Sequence, residues 1–304
     1  MVMQEIILKE KNELEVENYV DKFLNYIDVS DKTVETYKIA LRQFCSYLHE
    51  KGIKNPTREE IIEYREYLKE HLKPTSVNAY LIAIRNLYNY LEYEGITKNI
   101  TKNIKGITIG NEHKKNALTE QQCKDIINNA LNDREKIMFL LGVVCGLRAN
   151  EIVNIEITDF QKKDDKICLY VLGKGRDYKQ DYVIIPDYLF DLIKKYVEQN
   201  EITNYLFVSK SNNNHNGKLT TKTIRFIIKE MFKRIGLDSE LYSQHSCRHT
   251  FATSSIKNGI DIREVSQALR HKSLVTTTIY LHDLEKINNK CSNVVCNILF
   301  DKGN

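Results

Sequence analysis

Residues 268–280 read ALRHKSLVTTTIY, and the interpretation of the whole chain depends on this stretch. It places His271 nine residues before Tyr280, with a run of threonines between them. A tyrosine in such a position is commonly a half-buried core residue. Its phenol becomes a candidate nucleophile only if the rest of the chain supplies groups that bind an anion and remove the phenolic proton.

Three further stretches supply groups of this kind. They are GLRANEIVNI (146–155), VLGKGRDYKQDYVIIP (171–186) and QHSCRHTFAT (244–253). Guanidiniums bind phosphate oxygens bidentately and stay charged at any working pH, and a lysine on a hairpin can protonate a leaving oxygen. With no Walker-type glycine loop and no acidic cluster for magnesium in the sequence, phosphate chemistry without a nucleotide is favoured. The candidate residues are Arg148, Lys174, His245, Arg248, His271 and Tyr280.

Taken singly, these stretches have simpler interpretations. Arg148 and Glu151 suit an ion pair between neighbouring turns of one helix. His245, Cys247 and His249 are all possible zinc ligands, but alternate spacing on a helix points them to different sides, and the sequence has no second ligand pair at structural-zinc spacing. We therefore expect no metal and no cofactor.

Length and composition limit the class of protein. The chain has 304 residues, of which 42% are hydrophobic and 28% charged, so it can form one large domain or two ordinary ones. No apolar run is long enough to cross a bilayer, and glutamates and lysines interrupt the first residues, unlike a signal peptide. The seven cysteines are scattered and odd in number, so we expect a reduced, cytoplasmic protein without membrane contact.

The sequence predicts a mainly α-helical fold with a small β-sheet. Helical periodicity and capping signals predict four helices in the first hundred residues: one at about 14–27, one from Ser30 or Asp31 to Gly52, one with Pro56 in its first turn, and one from Pro74 to Gly95. After a polar, basic linker, helices flank two short strands, KICLYVL (166–172) and DYVIIP (181–186). We predict a helical domain over 1–106, a linker over 107–116 and a second domain over 117–304.

The motifs, in this order and at these intervals, resemble those of the tyrosine recombinases of the phage-integrase and Xer group. LTEQQ (118–122), followed by a helix into CGLRANEI (145–152), resembles the first arginine box of that family. QHSCRHTFAT resembles its His-x-x-Arg box, and LRHKSLVTTTIY (269–280) its closing His-to-Tyr box. The resemblance spans nearly the whole chain and implies an N-terminal helical core-binding (SAM-like) domain followed by an α+β catalytic domain.

Roles at the phosphate follow from this resemblance. Arg148 and Arg248 would hold the scissile phosphate of DNA, and His271 would hydrogen-bond to it. Glu151 occupies the position of an acidic residue that supports the site. Arg270 stands where the family commonly has glycine, so it could alter how the tyrosine segment is held.

The resemblance also implies roles in bond making and proton transfer. Tyr280 would attack the phosphate and form a 3′-phosphotyrosyl link, and His245 would assist proton transfer. Lys174 would protonate the 5′ oxygen, with Lys179 on the same hairpin as its rival; we favour Lys174 because it occupies the GKG position. Ser246-Cys247 departs from the usual pair between the histidine and the arginine of the second box without removing a catalytic group.

The implied partner is double-stranded DNA with specific core sites, bound by a homo-tetramer on two sites, with a second recombinase as a possible hetero-partner. Strand exchange would pass through a Holliday junction. Basic charge is locally concentrated around 71–110, as a phosphate-facing surface requires. In the N-terminal domain we expect Arg42, Lys73 and Arg85 to contact the DNA backbone. Two alternatives stay open: a topoisomerase-like enzyme that relaxes DNA, and a non-catalytic DNA-binding protein on the same scaffold.

The apolar tail 281–304 has two interpretations. Related recombinases pass this segment to a neighbouring protomer, and a polar hinge at 286–290 would allow that exchange. Alternatively, the tail forms a last helix that packs on its own domain.

Overall fold

The computed structural model describes residues 15–108, 115–173, 176, 178–209, 217–237, 240–278, 280, 296 and 298. The chain divides into two compact units, Met1–Glu112 and His113–Asn304. Lys174 and nearly all of the tail 281–304 lie outside the described residues, so the expectations for them stay predictions.

The described part of the first unit consists of four helices. Helix α4 packs chiefly against α2 and also contacts α1 and α3. Their inward faces form one core that includes the aromatic side chains of Phe23, Phe44, Tyr64 and Tyr88. The helices are α1 (Glu17–Tyr26), α2 (Asp31–Glu50), α3 (Arg58–His71) and α4 (Pro74–Tyr93).

The predicted helix starts are confirmed in this unit with one exception. The side chain of Ser30 caps α2, and Pro74 is the first residue of α4, where its missing N–H costs no hydrogen bond. The prediction for Pro56 is wrong, because α3 begins only at Arg58. Thr57 caps that helix in a reciprocal pair with the glutamate three residues later, which fixes the start beyond the proline.

The second unit is built around α6, whose residues 137–142 are all buried. Helix α6 packs against α8, α9 and α10, and its contact with α10 is the most extensive of these. The helices of this unit are α5 (Glu120–Asn128), α6 (Asp133–Val143), α7 (Ala149–Val153), α8 (Asp187–Gln199), α9 (Thr221–Arg234), α10 (Gln244–Lys257) and α11 (Ile262–Ala268).

A three-stranded antiparallel sheet lies between α7 and α8 in the chain. Its order is β1 (Phe160–Lys163), β2 (Lys166–Val171) and β3 (Asp181–Ile185). The sequence predicts β2 and β3 but misses β1, because three of its four residues are exposed and it has no apolar alternation. Asp164 and Asp165 both have positive φ, +46° and +62°, as the tight turn that joins β1 to β2 requires.

The predicted fold class, mainly helical with a small β-sheet, is thus confirmed. Two loops, one helix and one helical turn of the second unit carry the described candidate residues to one place: the segment before α7, the helix α10, the segment after α11 and the helical turn at 275–278, which precedes Tyr280. In the part of the chain that the structure describes, no helix is long and apolar enough to span a membrane.

Candidate active site

Arg148 and Glu151 form the base of the site. Arg148 is the residue before α7, and its backbone N–H donates to Glu151 Oε2 at 2.7 Å. The guanidinium of Arg148 donates to the other carboxylate oxygen at 2.8 Å. The side chain of Glu151 is 1% exposed, whereas that of Arg148 is 26% exposed. The buried carboxylate therefore anchors both ends of Arg148 and leaves part of its guanidinium accessible.

Arg248 lies on α10 and is almost fully buried, with 1% of its surface exposed. Its guanidinium donates to two backbone carbonyl oxygens, those of Gly146 and Leu269, and lies 4.0 Å from Glu151. Burial, followed by the charge of Arg148, lowers the pKa of Arg248 to about 9. It still carries its positive charge near neutral pH, so two guanidiniums are held together where an anion would offset their repulsion.

Arg270 also reaches Glu151. Its Nη2 lies 2.8 Å from Oε2 of the carboxylate, and its backbone has a left-handed φ of +55°. Burial acts to raise the pKa of Glu151, but the charges and hydrogen bonds of Arg270 and Arg148 outweigh it and lower the pKa. Glu151 is therefore an ionised carboxylate shared by two arginines. The sequence singled out Arg270 as a departure but gave no sign of this ion pair.

His271 and Tyr280 lie next to each other, within the electrostatic influence of Arg148 and Arg248. The rings of His271 and Tyr280 are stacked with centroids 6.4 Å apart, and His271 Nδ1 lies 2.8 Å from the hydroxyl of the fully buried Thr277. Burial, together with the charges of Arg248 and Arg148, lowers the pKa of His271 to about 4. His271 is therefore neutral at neutral pH.

Tyr280 is 8% exposed and packs with Ala252, Val265 and Leu269 of α10 and α11 and the loop after α11. Burial raises the pKa of its phenol, and the charges of Arg248 and Arg148 partly oppose that shift. The phenol is thus protonated at neutral pH, and its attack on phosphorus requires a proton acceptor.

His249 contacts the candidate nucleophile and was not assigned a role from the sequence. Its ring meets that of Tyr280 edge to face, with centroids 4.7 Å apart, and its Nδ1 lies 3.1 Å from the hydroxyl of Thr253. The signal was present in the motif, where His249 directly follows Arg248. Only the fold places that histidine against a tyrosine thirty-one residues later in the chain.

His245 is positioned by the start of α10, where the Ser243 hydroxyl caps the helix. Burial lowers the pKa of His245, and the charges of Arg248 and Arg148 add to that effect. Cys247, two residues on, is fully buried in the core against α6. Among the described residues, no group of His, Cys, Asp and Glu side chains could hold a metal ion.

The β2–β3 hairpin carries both candidates for the general acid. Lys174 lies outside the described residues, and its role stays a prediction. Lys179 has its ammonium 2.6 Å from Asp159 and 3.5 Å from Glu156, with its side chain 19% exposed. Two carboxylates from the segment before β1 thus bind the ammonium of Lys179.

The three candidate DNA contacts of the first unit have different surroundings. Lys73 is exposed at the start of α4. Arg85 donates to the backbone carbonyl of Ile104 at 2.6 Å, so part of its guanidinium holds the chain after α4. Arg42 is exposed beside a cavity that is also lined by the acidic residues Glu17, Asp21 and Glu50.

The structure adds a basic surface that the sequence reading missed. Lys222, Arg225 and Lys229 recur at three- and four-residue spacing on the exposed side of α9. Burial and several charges lower the pKa of His245, and the charge of Arg225 is the smallest of these contributions. The signal was present in the sequence TKTIRFIIKEMFKR, because residues three and four apart share one side of a helix.

Comparison with known proteins finds relatives along most of the chain. The model described as Phage integrase family matches residues 116–286, and that described as Phage integrase, N-terminal SAM-like domain matches residues 16–95. Tyrosine recombinase XerA of Pyrococcus horikoshii is 30% identical over 274 residues, covering 90% of this chain and 92% of the relative. Tyrosine recombinase XerC of Oceanobacillus iheyensis is 26% identical over 298 residues, covering 89% of this chain and 92% of the relative.

Solved structures share the fold. The XerH site-specific recombinase bound to palindromic difH substrate, in a post-cleavage complex, matches with a TM-score of 0.71 at 22% identity, covering 86% of this chain and 80% of that one. A lambda integrase tetramer bound to a Holliday junction matches with a TM-score of 0.71 at 17% identity, covering 90% of this chain and 80% of that one. At these identities the likeness is one of fold.

Proposed function

The chain belongs to the phage integrase family, and from this premise we propose that it is a site-specific DNA recombinase that cuts and rejoins duplex DNA through Tyr280. The observation that carries the proposal is the convergence of Arg148, Arg248 and Tyr280 from three separate segments of the chain. Electrostatic influence of both arginines on the phenol supports a site in which one phosphate contacts all three.

The arginines would bind the scissile phosphate through its non-bridging oxygens. Each guanidinium can donate two hydrogen bonds to a phosphate, and in a site shielded from water such preorganised donors stabilise the charge that develops on those oxygens. The neutral His271 would add a third donor. If the Thr277 hydroxyl donates to Nδ1, the ring proton is on Nε2, which is then free to donate to the phosphate.

The cleavage step is a transesterification. The phenolic oxygen of Tyr280 forms a bond to phosphorus as the bond from phosphorus to the 5′ oxygen breaks, which leaves a 3′-phosphotyrosyl link and a free 5′ hydroxyl. His245, neutral at working pH, assists removal of the phenolic proton, and Lys174 donates a proton to the leaving 5′ oxygen. Lys179 is disfavoured for that role because Asp159 and Glu156 hold its ammonium. One phosphodiester replaces another, so the reaction needs no ATP.

Both units would contribute to DNA binding, the first as a core-binding domain and the second as the catalytic domain. Lys73 in the first unit and the exposed cations of α9 in the second would contact phosphates, with Arg42 and Arg85 as further candidates. Each neutralised phosphate contact adds roughly 0.9 to the salt slope of duplex binding. Lys73→Ala should therefore reduce the salt slope of DNA binding by about one. An unchanged slope would show that Lys73 does not contact the DNA backbone.

Covalent capture tests the function directly. A labelled pool of nicked duplexes with randomised cores is incubated with the protein and then separated on a denaturing gel. The proposal predicts a protein–DNA adduct whose DNA, once sequenced, shares one core site. If no adduct forms, the proposed chemistry is contradicted.

Plasmids then separate recombination from relaxation. With two copies of the captured site, a recombinase yields rearranged plasmids, and a plasmid without the site stays supercoiled. Relaxation of the site-free plasmid would instead indicate a topoisomerase-like enzyme. Specific binding without any adduct would indicate a non-catalytic DNA-binding protein.

We further propose that four protomers act on two sites and exchange the tail 281–304. The apolar residues of that tail support this proposal, since burying them in a neighbour would couple cleavage to assembly. Deletion of 291–304 should leave single-site binding intact while abolishing tetramers and recombination. A truncated protein that unfolds as a monomer would show that the tail belongs to its own core.

A further inference from the structure

Arg270 combines two features that are each costly for the folded chain. Its backbone has a φ of +55°, a left-handed conformation that disfavours residues with a Cβ and that glycine adopts readily. Its side chain is charged yet only 5% exposed. A buried guanidinium is stable only where it is paired and hydrogen-bonded. The contacts that Arg270 makes should therefore account for its presence.

Those contacts are directed at one carboxylate. Arg270 Nη2 donates to Oε2 of Glu151 at 2.8 Å, and its Nε lies 3.4 Å from Oε1. The remaining nitrogen, Nη1, donates to the backbone carbonyl of Ala268 at 2.6 Å. The guanidinium thus approaches Glu151 side-on through two nitrogens, a geometry that fixes the plane of the carboxylate.

Glu151 passes this constraint to Arg148. The same two oxygens accept from the backbone and the guanidinium of Arg148, at 2.7 and 2.8 Å. Arg248 lies 4.0 Å from the carboxylate and donates to the carbonyl of Leu269, next to Arg270 in the chain. One carboxylate therefore connects the two arginines of the phosphate site with a third arginine behind them.

The charges of this cluster match those of the cleavage reaction. Three guanidiniums and one carboxylate together carry a net charge of +2. A phosphodiester carries one negative charge, and a five-coordinate phosphorus in the transition state carries two on its non-bridging oxygens. Without Arg270 the net charge of the cluster is +1, and only Arg148 and Arg248 would neutralise the carboxylate of Glu151.

We propose that Arg270 is a positioning residue for strand cleavage, which binds Glu151 so that the guanidiniums of Arg148 and Arg248 remain available to the phosphate. This inference rests on the proposed recombinase function. Arg270 does not touch the substrate in this account. Its effect on the reaction passes through Glu151.

The test measures single-turnover adduct formation and DNA affinity with the nicked duplex that covalent capture selects. Arg270→Gly keeps the left-handed backbone without strain and removes the whole side chain, including its guanidinium. The adduct should form about 10-fold to 100-fold more slowly, by analogy with the loss of residues that orient the ligands of a metal ion, while DNA affinity changes less than about twofold. Arg263→Met, a matched loss of charge at an exposed residue of α11, should leave both values unchanged.

A double-mutant cycle tests the route through Glu151. Glu151→Gln should slow the reaction by itself, and adding Arg270→Gly to it should change the rate by less than about threefold. If Arg270→Gly causes the same loss in both backgrounds, Arg270 acts independently of Glu151 and the inference is overturned. If Arg270→Gly does not fold, Arg270→Lys takes its place, with an intermediate rate expected and a wild-type rate contradicting the inference.

A neutral phosphate analogue separates charge from fold. A methylphosphonate at the scissile position has one negative charge fewer in the transition state. Arg270→Gly should therefore slow adduct formation less on this duplex than on the ordinary one. An equal deficit on both duplexes, or wild-type cleavage by Arg270→Gly, overturns the inference. Failure of the wild-type protein to form any adduct contradicts the proposed function instead.

Discussion

The ring of His249 meets the ring of Tyr280 edge to face, at an interplanar angle of 89°. His249 lies on α10 one residue after Arg248, so the helix that delivers a phosphate-binding guanidinium also supports the proposed nucleophile. Together with the stacked ring of His271, it restricts the directions in which the phenol can point.

Removing the His249 ring should lower the rate at which Tyr280 attacks DNA. His249→Ala should form the adduct roughly fivefold more slowly, because an edge-to-face pair contributes about 1 kcal/mol. His249→Phe keeps an aromatic edge and should retain most of the wild-type rate, as measured by single-turnover cleavage of the captured duplex. If the phenylalanine variant is as slow as the alanine variant, His249 acts by hydrogen bonding or proton transfer and not by packing.

Loss of the Arg148 guanidinium should remove one preorganised donor from the phosphate. Arg148→Ala should lower the cleavage rate by about 100-fold or more, the scale found for deleting one such donor. Arg234→Ala, which breaks an ion pair with Glu135 elsewhere in the same unit, serves as the matched control and should cleave normally. Cleavage by Arg148→Ala at a near wild-type rate would show that other residues bind the scissile phosphate.

The two lysines of the hairpin should respond differently to a changed leaving group. Lys174→Ala should be slow on ordinary DNA but recover on a duplex whose 5′ bridging oxygen is sulfur, since a thiolate leaves without a proton. Lys179→Ala should lower the melting temperature, because Asp159 and Glu156 lose their partner, and should show no sulfur rescue. Rescue of the Lys179 variant instead would transfer the general-acid role to that residue.

The pKa of His271 predicts a pH dependence of stability. The folded protein lowers this pKa to about 4, whereas an unfolded histidine titrates near roughly 6.5. Between these values the unfolded chain binds more protons, so His271 contributes to stability above pH 6.5 and loses that contribution as the pH falls. The difference in melting temperature between wild type and His271→Asn should therefore narrow from pH 7.5 to pH 5. A constant or widening difference would contradict the shift.

The sequence was sufficient for the fold class, the family and most helix starts. Periodic apolar residues and caps are local signals, so Ser30 and Pro74 could be placed without coordinates. The misses involve contacts between distant segments or sequence signals that are weak. Strand β1 is four residues long and largely exposed, and its register is fixed by pairing with β2.

Within the site, motif order identified the candidate groups but not how they support one another. Arg270 appeared only as a departure from a glycine, because its partner Glu151 is 119 residues away in the chain. The contact between His249 and Tyr280 likewise depends on how α10 packs against the segment after α11. Such relationships arise from tertiary structure and leave no local pattern to read.

The attachment point of the DNA tests the central claim most directly. Trypsin cuts after Lys272 and Lys286, and the peptide between them contains Tyr280 as its one tyrosine. Mass spectrometry of the nuclease-treated adduct should find this peptide with a nucleotide attached to Tyr280 through its 3′ phosphate. Tyr280→Phe should bind the duplex without forming any adduct. An adduct that persists in Tyr280→Phe, or a nucleotide attached to another peptide, would contradict the account.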